Sequence, residues 1–201
     1  MNTDRYKTIK SKSEGFFKDR SSKFYAFAFP VKNEDEITTF REQIRKEYYD
    51  ARHHIYAYRL GAEMKIFRAS DDGEPSNSSG PPVLGKIKSY KLTDILIIVV
   101  RYFGGTKLGI PGLINAYGTA AEDAIKNAEI IVKTIFEKIE IQFEYPHMND
   151  VMRIIKENKL KIIEQEMQLS CKIIVGVPKN SFEKIRKQLE QHHKLKLEFD
   201  E

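Results

Sequence analysis

Two hydrophobic periods alternate along the chain, and they predict a run of strands and helices. Ser22–Pro30 (SKFYAFAFP) is rich in aromatic residues and stops at a proline, which predicts a strand. Asn33 then stands as an N-cap, with Glu36 three residues on as its capping-box partner. Ile37, Phe40, Ile44 and Tyr48 follow at helical spacing with charges between them. Residues 51–60 (ARHHIYAYRL) alternate and predict a second strand, and residues 64–69 a third after a turn at Gly61. Residues 70–85 are dense in Asp, Gly, Pro, Ser and Asn, so a long loop is expected. Loops of that length inside a compact domain are usually functional or mobile. Residues 92–100 (LTDILIIVV) are almost continuously apolar, the pattern of a strand buried on both faces. A glycine-rich segment separates them from a helix predicted over about residues 111–127. Leu113, Ile114, Tyr117, Ala121, Ala124, Ile125 and Ala128 line its inner side. Proline at its start suits the first helical position, and the alanines permit close approach to a sheet.

A boundary falls near residues 132–134, which divides the chain into domains 1–133 and 134–201. Beyond it, residues 135–145 predict a strand and Met148–Glu157 a helix capped near His147. Lys161–Glu166 and residues 168–177 predict strands. A helix opens at Asn180 or Ser181 and runs to Gln191, and residues 195–199 form a last strand. Strand-helix-strand-strand-helix-strand is the ferredoxin-like order.

Composition narrows the class. With 41% hydrophobic and 31% charged residues in 201, the chain can bury a core and is not disordered throughout. Its longest apolar stretch is strand-sized and far below the roughly 18 residues of a membrane span. The N-terminal residues lack the apolar segment of a secretory signal. A single cysteine, Cys171, excludes an internal disulfide framework and suits a reducing compartment. A cytoplasmic location is expected. The net charge is +5, and residues from Ile135 onward carry equal numbers of each sign. The excess therefore lies in the first domain, where a basic surface can favour RNA or phosphate or simply keep the protein in solution.

Two segments are candidates for chemistry. RYFGGTKLG joins the buried strand to a helix start. Gly104, Gly105 and Gly109 permit close backbone approach, and Arg101 and Lys107 add positive charge. A helix N-terminus supplies unpaired N–H groups, so these five residues form a candidate anion site. The spacing is neither that of a Walker A loop nor that of a dinucleotide fingerprint. The plain alternative is a tight structural corner. The second segment, Asp71-Asp72-Gly73-Glu74, places three carboxylates in four residues. They can hold a divalent metal, with Asp72 and Glu74 as the candidate ligands, or neutralise arginines such as Arg52, Arg68 or Arg101. The plain alternative is a solvated loop tip with a turn at Asp72-Gly73. His53 and His54 point to opposite faces of a strand and cannot share a metal. His192 and His193 suit a helix end, Cys171 reads as an inert core thiol, and no partner can be assigned to Ser76, Ser78 or Ser79 as nucleophiles.

The combination of DARHHIYAYRLG (50–61), RASDDGEPS (68–76) and LTDILIIVVRYFGGTKLGIPGL (92–113), followed by Ala116-Tyr117, resembles the IMPACT/YigZ family from Ser22 to about Asn127. The resemblance implies an α+β protein. Its first domain would be ribosomal-protein-like, similar to domain IV of elongation factor G, and its second ferredoxin-like, similar to domain V. It implies a non-enzymatic role in translation control, with RNA, the ribosome or a translation-related protein as partner, and neither DNA, membrane nor cofactor. Eukaryotic relatives carry a further N-terminal interaction domain, and that partner circuit is not expected here. Two departures stand out. Residues 77–80 read NSSG where the family pattern is Gly-Thr-Ala-Gly, and Asn115 stands where the pattern has arginine, which removes one phosphate contact. The alternative function is an enzyme on a phosphorylated small molecule, with the glycine loop holding phosphate and the acidic loop holding metal.

Overall fold

A computed structural model describes residues 4–168 and 170–199. It divides into two compact units. Tyr6–Lys133 form one, and the described residues after Lys133, with Asp4 and Arg5, form the other. Its four- and five-stranded sheets are antiparallel and its helices pack against them, so the chain is an α+β protein.

The chain begins with β1 (Arg5–Ile9), which belongs to the larger unit from Tyr6 onward, and continues with β2 (Ser13–Asp19) and β3 (Ser22–Pro30). The unit runs on through α1 (Glu34–Glu47), β4 (His53–Leu60), β5 (Ile66–Ser70) and α2 (Gly80–Ser89). It closes with β6 (Ile95–Tyr102), α3 (Gly109–Lys126) and β7 (Ile130–Thr134). Five strands make one sheet in the order β2-β3-β6-β4-β5, while β1 pairs with β7 apart from it. The continuous apolar run explains why β6 is central. Ile95, Ile97 and Val99 pack with Phe24, Ala26, Ile55 and Ala57 beneath α2 and α3. Leu96, Ile98 and Val100 pack with Phe27, Phe29, Tyr56 and Tyr58 beneath α1. The unit is therefore three layers with helices on both faces of the sheet.

Each helix follows from its local sequence. Asn33 caps α1, its Oδ1 accepting from the Glu36 amide at 2.9 Å. The Glu36 carboxylate closes the box one residue early, accepting from the Lys32 amide at 2.8 Å. Ala116, Ala120, Ala121 and Ala124 of α3 are fully buried. They let α3 lie so near β2 that a Cβ on Gly15 would sit 2.2 Å from the Ala124 nitrogen.

The expected loop over residues 70–85 needs correction, because α2 begins inside it at Gly80. Gly80-Pro81-Pro82 reads as a chain breaker, but proline is tolerated in a first helical turn, where its missing N–H is not needed. Val83, Leu84 and Ile87 then bury one face. Strands β1, β2 and β7 also add to the elements expected from the sequence.

In the smaller unit the elements are β8 (Phe136–Glu144), α4 (Met148–Glu157), β9 (Lys161–Glu166), β10 (Ser170–Pro178), α5 (Phe182–Glu190) and β11 (Lys196–Phe199). Single turns of 3-10 helix, Tyr145–His147 and Lys179–Ser181, lead into the two helices. The sheet order is β11-β8-β10-β9. Ile139, Ile141, Ile173 and Val175 meet Val151, Ile154, Ile185 and Leu189 in its core. Cys171 is fully buried there, its thiol donating to the Gln168 carbonyl at 3.3 Å.

Candidate functional site

Arg101 lies one residue from the end of β6, paired in register with Phe24 on β3 and His53 on β4. Only 8% of its side chain is exposed, and Nη1 donates to Glu74 Oε1 at 2.6 Å. The Tyr117 hydroxyl, from the buried face of α3, donates to the same oxygen at 2.7 Å. Burial and the neighbouring Glu74 carboxylate push the Tyr117 hydroxyl far above its ordinary range, so it stays a donor. Strand, acidic loop and helix are thus joined through one carboxylate. The guanidinium also lies 5.6 Å from the Phe24 ring centroid and 5.5 Å from that of Phe103. Its Nε is buried and makes no hydrogen bond among the described residues. Buried polar atoms are nearly always paired, so this one stands out.

The other acidic-loop carboxylates serve different partners. Asp71 accepts from the amides of Asn77, Ser79 and Gly80 at 2.8, 3.0 and 2.8 Å, and from the Ser79 hydroxyl at 2.7 Å. Burial alone would raise its pKa, but these hydrogen bonds outweigh it and hold the carboxyl below its ordinary range. Asp71 thereby caps the start of α2 from a distance, where Ser79 makes no side-chain cap of its own. Asp72 has a positive φ of 38° and accepts from the His54 amide at 2.7 Å. Its other oxygen meets Arg45 of α1 at 3.3 Å, and its carbonyl faces His53 Nδ1 at 2.8 Å. Gly73 turns the loop beside the His53 ring with φ +87°. Asp72 and Glu74 therefore point to separate partners. Among the described residues no three His, Cys, Asp or Glu side chains form a group able to hold a metal ion.

The glycine loop divides its labour. A Cβ on Gly104 would fall 2.1 Å from the Ser21 carbonyl carbon, and its amide donates to Ser22 Oγ at 3.1 Å. Gly104 thus pins the loop to the β2–β3 turn. Gly105 and Gly109 hold positive φ angles of 89° and 71°. Between the two loops opens a cavity of about 840 Å³. Of the five candidate anion-site residues, Arg101, Lys107 and Gly109 line it, whereas Gly104 and Gly105 do not and serve the course of the loop. Glu74 and Pro75 bring the acidic loop to its wall, and Asp50, Arg52 and His53 enter from the segment before β4. Leu108, Gly109 and Ile110, at the start of α3, complete it. That helix has neither a side-chain cap at Leu108 nor an acidic residue in its first turn, so no local carboxylate offsets the positive end of its dipole. Tyr102 borders the cavity with its hydroxyl on Asp50 Oδ1 at 2.6 Å, a bond that with burial raises its pKa to about 12.

The sequence offered Arg101 as one of three arginines that the acidic loop could neutralise, and the structure selects it, through Glu74. Tyr117 looks like one more core aromatic, and its hydroxyl reaching Glu74 leaves no local trace. His53 and Arg52 sit in a strand-entry pattern whose signal is alternation, not chemistry.

Fold and site together define a small α+β protein whose larger unit carries a prebuilt cavity, lined by both charged and apolar side chains, between an acidic and a glycine-rich loop. Residues 20–125 match the Impact N-terminal domain. The chain is 31% identical over 159 residues to the IMPACT family member YvyE of Bacillus subtilis (strain 168), covering 79% of this chain and 73% of that one. It is 30% identical over 161 residues to the IMPACT family member YigZ of Escherichia coli (strain K12), covering 79% of each. A crystal structure described as that of a hypothetical protein superposes with a TM-score of 0.74 at 26% identity, over 99% of this chain and 98% of the other. The chain belongs to the IMPACT family.

Proposed function

We propose that this protein is a non-enzymatic regulator associated with translation, and that it binds RNA, alone or in the ribosome, through the cavity of its larger unit. The observation that carries the reading is Arg101, a nearly buried cation with an unpaired Nε, in a cavity flanked by Arg52, Lys107 and an uncapped helix start. The charge distribution supports it. Asp4 and Arg5 cancel and the residues after Lys133 balance, so the whole net charge of +5 falls on Tyr6–Lys133. The strand-helix order of the smaller unit is that of a ferredoxin-like domain. On this reading the pair of units is similar in layout to domains IV and V of elongation factor G, and works in the cytoplasm. The alternative, an enzyme using a metal on the acidic loop, gains nothing from carboxylates that already serve separate partners.

The test is a polarisation assay of the full chain against ribosomal subunits and short single- and double-stranded RNA across a salt series. The expected result is saturable binding that weakens with salt, with Lys107→Ala reducing the slope for single strands by about 0.7. Absence of binding at low salt by folded protein would overturn the reading.

A further inference from the structure

We infer that the β2–β3 margin of the five-stranded sheet, on the face that carries α1, is a stacking surface for the bases of a single-stranded RNA, a step that rests on the RNA-binding reading above. Strand register builds it. Phe16 on β2 stands directly opposite Tyr25 on β3, and Lys18 opposite Lys23, which in turn faces Tyr102 on β6. Residues two apart on a strand share a face, so these five side chains lie on one. Tyr25 and Tyr102 pack against the core beneath α1, which identifies that face. The Phe16 and Tyr25 ring centroids are 5.1 Å apart, and Tyr102 meets Tyr25 edge-on at 6.0 Å. Tyr48, the C-cap of α1, packs on Tyr25 and Phe27 but leaves Phe16 46% exposed.

The charges around these rings call for an anion. Like charges directly opposite on paired strands repel, yet Lys18 and Lys23 are both exposed and neither forms an ion pair among the described residues. Arg20, in the turn between β2 and β3, is exposed and without an ion pair in the same way. The nearby carboxylates are engaged: Glu14 with Lys12 at 2.7 Å, Asp50 with the Tyr102 hydroxyl, and Glu47 beside the Tyr48 hydroxyl. An apolar protein surface laid on Phe16 would bury the two lysines uncompensated, whereas a strand of phosphates offsets them. Successive side chains on one face of a strand are about 7 Å apart, so a base on Phe16 leaves its phosphate within reach of Lys18 and Lys23. Aromatic rings beside cations hold single strands without reading their sequence. The surface is continuous with the cavity. Tyr102 borders both, and the contact of Gly104 with Ser21 and Ser22 joins the turn bearing Arg20 to the loop bearing Lys107.

Fluorescence polarisation of the full chain measures affinity for a single-stranded RNA, for the same strand with abasic sites at alternate positions, and for its duplex, each across a salt series. The intact strand is expected to bind about ten-fold more tightly than the abasic one, the size of one stacked base. Phe16→Leu keeps an apolar residue on β2 and loses the ring. It lowers single-strand affinity by a similar factor and leaves the salt slope and duplex binding unchanged. Lys18→Ala with Lys23→Ala lowers the single-strand salt slope by about 1.4, two phosphates at about 0.7 each. All three positions are exposed, and the fold of each variant is checked by urea unfolding. Binding that responds to Lys107→Ala but to neither abasic sites nor the sheet variants overturns the stacking surface and leaves the cavity reading standing. Binding that responds to the sheet variants and not to Lys107→Ala keeps the stacking surface and takes RNA out of the cavity. Absence of binding by every probe overturns both.

Discussion

Glu74 is the residue on which most depends. It is 5% exposed and receives both Arg101 and Tyr117 on one oxygen. Removing one partner of a buried ion pair costs more than the pair contributes, because the other charge stays behind. Arg101→Ala should therefore destabilise the chain by about 3–5 kcal/mol in urea unfolding. Tyr117→Phe keeps the edge-on ring contact with Phe24, 5.0 Å between centroids, and loses only the hydroxyl. Its expected cost is about 1–3 kcal/mol. Equal losses for the two variants would speak against a charge-centred network. Asp71 makes a pH prediction. Its folded pKa lies below the unfolded value of about 3.9. Its stabilisation is thus complete above that pH and fades as pH falls through the depressed folded value. Asp71→Asn should be less stable at neutral pH and lose less on acidification, read from unfolding curves between about pH 2 and 7. Both charges of the central pair were legible as candidates in the sequence. Their pairing was one of three the sequence allowed, with Arg52 and Arg68 as the other partners, because only the fold brings the end of β6 to the loop after β5.

At the scale of elements, alternation and capping were the readable signals. β3, β6 and α1 lie close to where their patterns predict, because each pattern carries its own physics. A central strand is apolar throughout, and a cap is a side chain beside free amides. Helix α2 was hidden because its opening Gly-Pro-Pro resembles a loop and its cap, Asp71, lies eight residues before Ser79. Strand β2 was hidden because its face is partly a glycine, Gly15, chosen for the approach of α3. Gly15→Ala should drive a methyl into the α3 backbone and cost about 1–3 kcal/mol, measured by the denaturation midpoint. Gly105→Ala meets open space, so only its positive φ is strained and RNA affinity should fall without loss of the fold. A change at Gly15 no larger than at Gly105 would mean that α3 shifts away freely.

For the whole molecule, charge and fold point to the same unit. Tyr6–Lys133 hold the net positive charge, the cavity and the span that matches the Impact N-terminal domain. The smaller unit has balanced charge and its own buried core. No helix among the described residues is long and apolar enough to cross a membrane. The most direct measurement is photo-crosslinking of the full chain to short RNA containing 4-thiouridine, with adducts mapped by mass spectrometry. The prediction is adducts at Phe103, Lys107 or Arg52, lost when salt is raised and reduced by Lys107→Ala. Adducts confined to residues after Lys133, or none under conditions where the protein is folded, would contradict it.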